Sequence, residues 1–219
     1  MMERKELPSR HIAIEGILHS GKTQLVNILA KKIGGRIILD RTENPYIKDF
    51  YEEKEGAALL TQLVFLVNRY HQQVGLRQRG LFEERILCDY LFEKDKIYAY
   101  QTLTDDELVV YEKIYNVFVE RVARPDLVIY LQISLSKLVR RIEKEGSALE
   151  KNISEKYLED ICEAYDYFFF NYQASPLLVV KADDLDLSRE EDVEDLIEKI
   201  EQMKKDTLYY VPLSKTSKE

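Results

Sequence analysis

Basic residues are the minority in this chain: 32 Lys and Arg face 40 Asp and Glu, a net charge of -8. A duplex DNA or RNA binder normally shows a basic face, so that class is disfavoured. An anionic small molecule stays possible, because a phosphate site needs only a local positive pocket. Cysteine is scarce too. Cys88 and Cys162 lie far apart and show no metal-ligand spacing. They read as two reduced thiols of a cytosolic protein. No apolar run approaches the ~18 residues that a membrane span needs. The segment Met1 to Arg10 is polar and charged, unlike a secretory signal. Repeats, low-complexity tracts and Pro/Gly-rich linkers are also missing. One domain over 1–219 is therefore expected, with frayed ends at 1–9 and 214–219.

What the chain has is apolar content of 45%, enough for a core. It is concentrated in short runs: His11–Glu15, Arg36–Asp40, Arg85–Cys88, Leu127–Leu131 and Leu177–Val180. Each is rich in Ile, Val or Leu with little polar alternation, as in parallel strands buried on both faces. Helical patterns separate them at Lys22–Ile33, Ala57–Arg77, Thr104–Val122, Ser134–Lys144, Ser154–Tyr172 and Ser188–Met203. Thr104 with Glu107, and Ser188 with Glu191, have capping-box spacing. Gly34 and Gly35 supply a helix end. Strands alternating with helices predict an α/β fold with a doubly wound parallel sheet. Its ligands belong at the carboxyl ends of the strands.

Gly16-Ile-Leu-His-Ser20-Gly21-Lys22-Thr23 fits G-x-x-x-x-G-K-[ST], and it lies between an apolar strand and a helix. Gly16 and Gly21 let backbone N–H groups, that of Ser20 among them, turn toward phosphate oxygens. The helix opening at Lys22 adds its positive end. Lys22 reaches the β- and γ-phosphates, and Thr23 can ligate Mg²⁺. His19 reads as a spacer inside a loop that works through backbone groups. Neither N-K-x-D nor D-x-x-G occurs, which disfavours a GTPase.

Further segments narrow the choice. Ile12-Ala-Ile-Glu-Gly16, Asp40-Arg-Thr-Glu-Asn-Pro-Tyr46, Asp49-Phe-Tyr51, Thr61-Gln-Leu63, Asn68-Arg-Tyr70, Asp89-Tyr-Leu-Phe-Glu-Lys-Asp-Lys96 and Arg124-Pro-Asp-Leu-Val-Ile-Tyr-Leu131 follow in order. Tyr165-Asp-Tyr-Phe-Phe169 and Pro176-Leu-Leu-Val-Val180 continue the series. This combination resembles the bacterial deoxynucleoside kinases from about Ile12 to Leu213. The resemblance implies a P-loop nucleoside-kinase fold, with a five-stranded parallel sheet, flanking helices and a small lid. It also implies ATP with Mg²⁺, a deoxynucleoside acceptor, a homodimer and a cytoplasmic setting, with no nucleic-acid polymer and no membrane.

Roles carry over by position. Asp40, where the family usually has Glu, would accept the proton of the attacking hydroxyl; a capping Asp is the plainer reading. Tyr51 matches the tyrosine that bonds the sugar 3′-hydroxyl, or is one more packed aromatic. Gln62 matches a glutamine that grips the base edge, or is a solvated helix position. Arg69 and Asp95 match a charged pair reading the far side of the base, favouring cytosine, adenine or guanine over thymine; an ordinary ion pair is the alternative. Asp89 matches a carboxylate near Mg²⁺ and the acceptor. Many relatives follow it with Arg-Ser, whereas Tyr90 and Leu91 follow here.

The lid, about 141–152, departs from the family's R-I-x-x-R-G-R-x-x-E. Arg141, Gly146 and Glu150 are retained, while Glu145 and Ser147 replace two arginines. Such arginines stabilise charge on the transferred group. Arg141 remains for that task, with Arg140 or Lys144 as possible substitutes, and Glu150 is assigned to the substrate side. An active deoxynucleoside kinase is the leading reading. A non-catalytic nucleotide-binding relative and a kinase for a monophosphate such as thymidylate stay open beside it.

Overall fold

A computed structural model describes residues 9–78 and 85–212. The two chain ends expected to fray lie outside this range, apart from Ser9, which is buried. Six strands form one sheet in the order β2-β3-β1-β4-β5-β6, and every neighbouring pair is parallel. They are β1 His11–Glu15, β2 Arg36–Ile38, β3 Ile86–Cys88, β4 Leu127–Gln132, β5 Leu177–Lys181 and β6 Thr207–Tyr210. The flanking helices are α1 Lys22–Ile33, α2 Ile47–Tyr51, α3 Ala57–Gln73, α4 Lys94–Thr102, α5 Asp105–Val119, α6 Leu135–Glu145, α7 Glu155–Phe170 and α8 Glu190–Gln202.

The expectation of five strands is corrected to six. In β6 only Tyr210 is buried, and Thr207 and Tyr209 are exposed. With one buried residue in four, this edge strand carries no apolar run of the kind that marked the other five. The central strands show why that run exists. Every residue of β1, and Leu127–Leu131 of β4, is buried on one face or the other. Burying one such Leu or Ile contributes about 1.5–3 kcal/mol. On the α7 side the core is aromatic, with Tyr130 stacked on Phe169 at 4.0 Å between ring centroids.

Helix starts follow local chemistry. Thr104 and Glu107 form the reciprocal capping box ahead of α5. Ser134 and Ser154 cap α6 and α7 by accepting from the N–H three residues on. The capping box read at Ser188 and Glu191 is not formed: the Ser188 hydroxyl donates to Asp186 Oδ1 at 2.6 Å, and Arg189 occupies the cap of α8. Asp186 Oδ1 accepts from both the Ser188 N–H and its hydroxyl, a local side-chain turn that competes with capping the helix. Among the described residues no helix is long and apolar enough to cross a membrane.

Chain order reverses at β1, which has β3 on one side and β4 on the other. Open α/β sheets bind ligands outside such a reversal. The loop Gly16–Gly21 leaves the carboxyl end of β1 there, and Ile38 and Cys88 end β2 and β3 beside it.

Candidate active site

The loop after β1 needs its first glycine for space as well as for angle. Gly16 has φ 156°, and a Cβ there would stand 2.7 Å from both Leu131 O and Ser20 Oγ. Gly21 (φ 105°) opens α1. Beneath the loop, buried Glu15 accepts from Gly16 N–H at 2.8 Å and from Leu91 N–H at 2.7 Å. One carboxylate thus ties the loop to the end of β3.

Cations gather at the mouth. Lys22 Nζ donates to the carbonyls of Gly16 and Ile17 at 2.7 and 2.9 Å. Burial, then the neighbouring Lys94 charge, pull its ammonium down to about 8. Arg141 Nη1 donates to His19 O at 2.7 Å, so the lid helix α6 is fastened to the loop. His19 is left-handed (φ 56°), and its Nε2 lies 3.4 Å from Glu150 Oε1. The residue read as a spacer therefore joins loop to lid with both its backbone and its ring. Ser20 Oγ is buried and has no hydrogen-bond partner among the described residues.

Thr23 Oγ1 donates to Asp89 Oδ2 at 2.6 Å, and Asp40 N–H donates to Asp89 Oδ1 at 2.6 Å. Asp89 so links the ends of β2 and β3 to the first turn of α1. A hydroxyl and a carboxylate in contact, next to a phosphate loop, suit Mg²⁺, which keeps most of its waters and takes one or two protein oxygens. Among the described residues no cluster of three or more His, Cys, Asp or Glu side chains could hold a metal by itself.

Asp40 is not a capping residue. Its carboxylate accepts from Arg69 Nε at 2.9 Å and Nη2 at 2.7 Å, and Lys94 Nζ lies 2.7 Å from Oδ2. Burial pushes this carboxyl up, but Lys94 and Arg69 outweigh it and hold the group well below the usual carboxylate range. Arg69 Nη1 also donates to Asp95 Oδ1 at 2.6 Å. Asp95 has no exposed surface, and its Oδ2 lacks a partner among the described residues. There burial wins over the Arg69 charge and raises the carboxyl to about 6. The simple ion-pair reading of Arg69 with Asp95 gives way to a bridge, in which one guanidinium holds two carboxylates.

Asp40, Arg69 and Lys94 border a cavity of about 340 Å³, whose lining also includes Tyr51, Gln62 and Glu150; Asp95, fully enclosed, is outside that lining and reaches it only through Arg69. Gln62 is buried rather than solvated, and its Nε2 donates to Thr102 Oγ1 at 3.3 Å. Burial raises the Tyr51 hydroxyl to about 12, so it remains a donor. The lid closes one wall through Ser147, Leu149 and Glu150. Gly146 is required there, since a Cβ would meet Ile142 O at 2.5 Å. Glu145 borders the phosphate mouth together with Lys22, Thr23 and Arg141. Arg140 and Lys144 line an adjoining depression with Lys137 and Asp183, which shares Arg141 and Glu145 with the mouth. Lys94 is the cavity residue that sequence reasoning missed. In the sequence it stands only as one residue of the segment Asp89–Lys96, with no role of its own.

The profile of the deoxynucleoside kinase family matches residues 12–205. The chain belongs to the deoxynucleoside kinase family. Its members are ATP-dependent phosphotransferases, and the P-loop here is that of such a kinase. The kinase is 35% identical over 172 residues to the deoxyguanosine kinase of Bacillus subtilis (strain 168), covering 77% of this chain and 83% of the relative. It is 26% identical over 207 residues to the deoxyadenosine/deoxycytidine kinase of the same organism, covering 91% and 95%. Among solved structures it is similar to the deoxyadenosine kinase from M. mycoides with bound dATP. That match has a TM-score of 0.72 and 29% identity, covering 86% of this chain and 98% of the other.

Proposed function

We propose that this kinase moves the γ-phosphate of ATP to the 5′-hydroxyl of a purine deoxynucleoside, deoxyguanosine foremost. The carrying observation is that Asp40 lies in the wall of the acceptor cavity and, through Asp89 and Thr23, one hydrogen bond at a time from the phosphate loop. The 35% identity to a deoxyguanosine kinase supports the choice of base. In this reading the N–H groups of Gly16–Thr23 and the Lys22 ammonium hold the phosphates. Tyr51 bonds the sugar, while Gln62, Arg69 and Asp95 read the base. Glu150 and Ser147 bring the lid onto the sugar side, and Arg141 turns from His19 O to the transferred group.

Mg²⁺ would be held by Thr23 and Asp89, and it would neutralise phosphate charge. Asp40 stays ionised at any working pH, so it orients the hydroxyl and accepts its proton as the new bond forms. The closed lid keeps water from acting as the acceptor.

A cytoplasmic location accompanies this proposal, since ATP and deoxynucleosides meet there. So does a homodimer. Exposed Val109, Val110 and Val117 on α5 and Leu60 on α3 give the apolar surface a partner copy would cover, and light scattering at micromolar concentration tests it. For the reaction, purified protein is incubated with ATP, Mg²⁺ and each deoxynucleoside in turn, and ADP is followed. The expected order places deoxyguanosine first and thymidine last. A monophosphate that outperforms every nucleoside refutes the acceptor assignment.

A further inference from the structure

We propose that Lys94 is a residue of the phosphoryl-transfer step itself, its ammonium orienting Asp40 and stabilising the charge that develops at the acceptor oxygen. This rests on the acceptor reading given above. Lys94 opens α4 and is 6% exposed, and its ammonium lies 2.7 Å from Asp40 Oδ2 in the cavity wall. The contact with Asp40 offsets the several kcal/mol that burying an ammonium costs, and it fixes the charge at the wall of the ligand cavity.

The other nearby cations are otherwise engaged. Arg69 spends Nε and Nη2 on Asp40 and Nη1 on Asp95. Lys22 and Arg141 stand on the phosphate side, at the loop carbonyls of Gly16, Ile17 and His19, where the proposed function gives them to the phosphates rather than to the acceptor oxygen. No cation comes from the end of β3, where the residues after Asp89 are Tyr90 and Leu91, neutral and fully buried. An ammonium carries three donors. With one directed at Asp40, Lys94 has the geometry to serve an oxygen held against that carboxylate. Its charge is felt on both sides of the junction, lowering Asp40 toward the base side and Lys22 toward the phosphate side.

In the step, the O5′–H bond breaks and its proton goes to Asp40. The oxygen's electron pair forms the bond to the γ-phosphorus. The bond from that phosphorus to the bridging oxygen breaks, and its pair leaves with ADP. Lys94 keeps its protons throughout. Once Asp40 is protonated, the Lys94 charge is no longer offset and acts on the phosphoryl group in transit. An interaction that strengthens along the reaction raises kcat rather than ground-state affinity.

The test compares Lys94→Gln, Lys94→Met and Lys94→Arg with the wild type, by ADP release and thermal unfolding. Loss of one such electrostatic donor is expected to lower kcat by about 10²–10³-fold in the Gln and Met variants. KM for ATP should stay within about threefold, and Lys94→Arg should recover at least about tenfold of the lost kcat. Met keeps the stem's packing, so it serves if Gln does not fold. Wild-type kcat in either neutral variant overturns the proposal, as does a loss confined to KM or an Arg variant no better than Gln. If the wild type itself phosphorylates no deoxynucleoside, the acceptor reading falls first and this one with it.

Discussion

Replacing Asp95 by Asn should change how stability depends on pH, and the size of the effect follows from burial. Asp95 is fully enclosed, with one oxygen on Arg69 and the other without a partner among the described residues. Burial outweighs Arg69, so the carboxyl titrates near 6 in the folded protein against 3.8 when unfolded. Between these values the folded state binds the extra proton, so stability falls as pH rises and the loss is complete above about 6. Two pH units correspond to about 3 kcal/mol. Most of it, about 2.5 kcal/mol, falls between pH 4 and 7. Asp40 has the opposite sign: its depressed carboxyl contributes stability above 3.8 that is lost as pH falls below that. The two windows are therefore separate. Asp95→Asn deletes the first titration and leaves the second. The stability difference, variant minus wild type, should grow by about 2.5 kcal/mol from pH 4 to pH 7. In a chain of this size that is roughly 5–10 °C in Tm. Urea unfolding of both proteins at each pH measures it without depending on the absolute cost of the substitution. Parallel curves would refute the reasoning, because they would mean that Asp95 titrates as an ordinary carboxyl and that Arg69 compensates its burial in full.

Asp40→Asn keeps the shape of the cavity and removes the proton acceptor, so kcat should fall about 10²–10⁴-fold while ATP affinity, read by calorimetry, changes little; unchanged turnover removes Asp40 from the base role. Lys22→Ala should abolish turnover and weaken ATP binding, since the ammonium serves the phosphates directly; an active variant measured by ADP release would contradict that. Glu145→Arg replaces a negative side chain at the phosphate mouth with a positive one, and kcat should rise by about tenfold or more in the same assay; a fall would mean that the lid does not bring residue 145 near the transferred group.

Legibility from sequence tracked how much of each element's pattern was free to serve packing alone. The P-loop was legible because its glycines answer to steric limits, such as the 2.7 Å approach of Leu131 O to any Cβ at Gly16. The strands β1, β4 and β5 were legible because both faces are buried. Helix α4 was not, and the reason is chemical. Its buried residues are Lys94, Asp95, Ile97 and Ala99, so the inward face is half charged and the apolar period that marks a helix is broken where the site begins. The family resemblance implied Arg69 and Asp95 as a pair, but a pair is a statement about two side chains. That Arg69 also holds Asp40, and that Lys94 shares this carboxylate, depends on α3, α4 and the end of β2 meeting at one point. Three segments that are distant in sequence must be folded before that charge balance exists, so no local pattern could reveal it. The same argument separates the two lysines. Lys22 is announced by its loop, whereas Lys94 is an ordinary lysine until the sheet places Asp40 beside it.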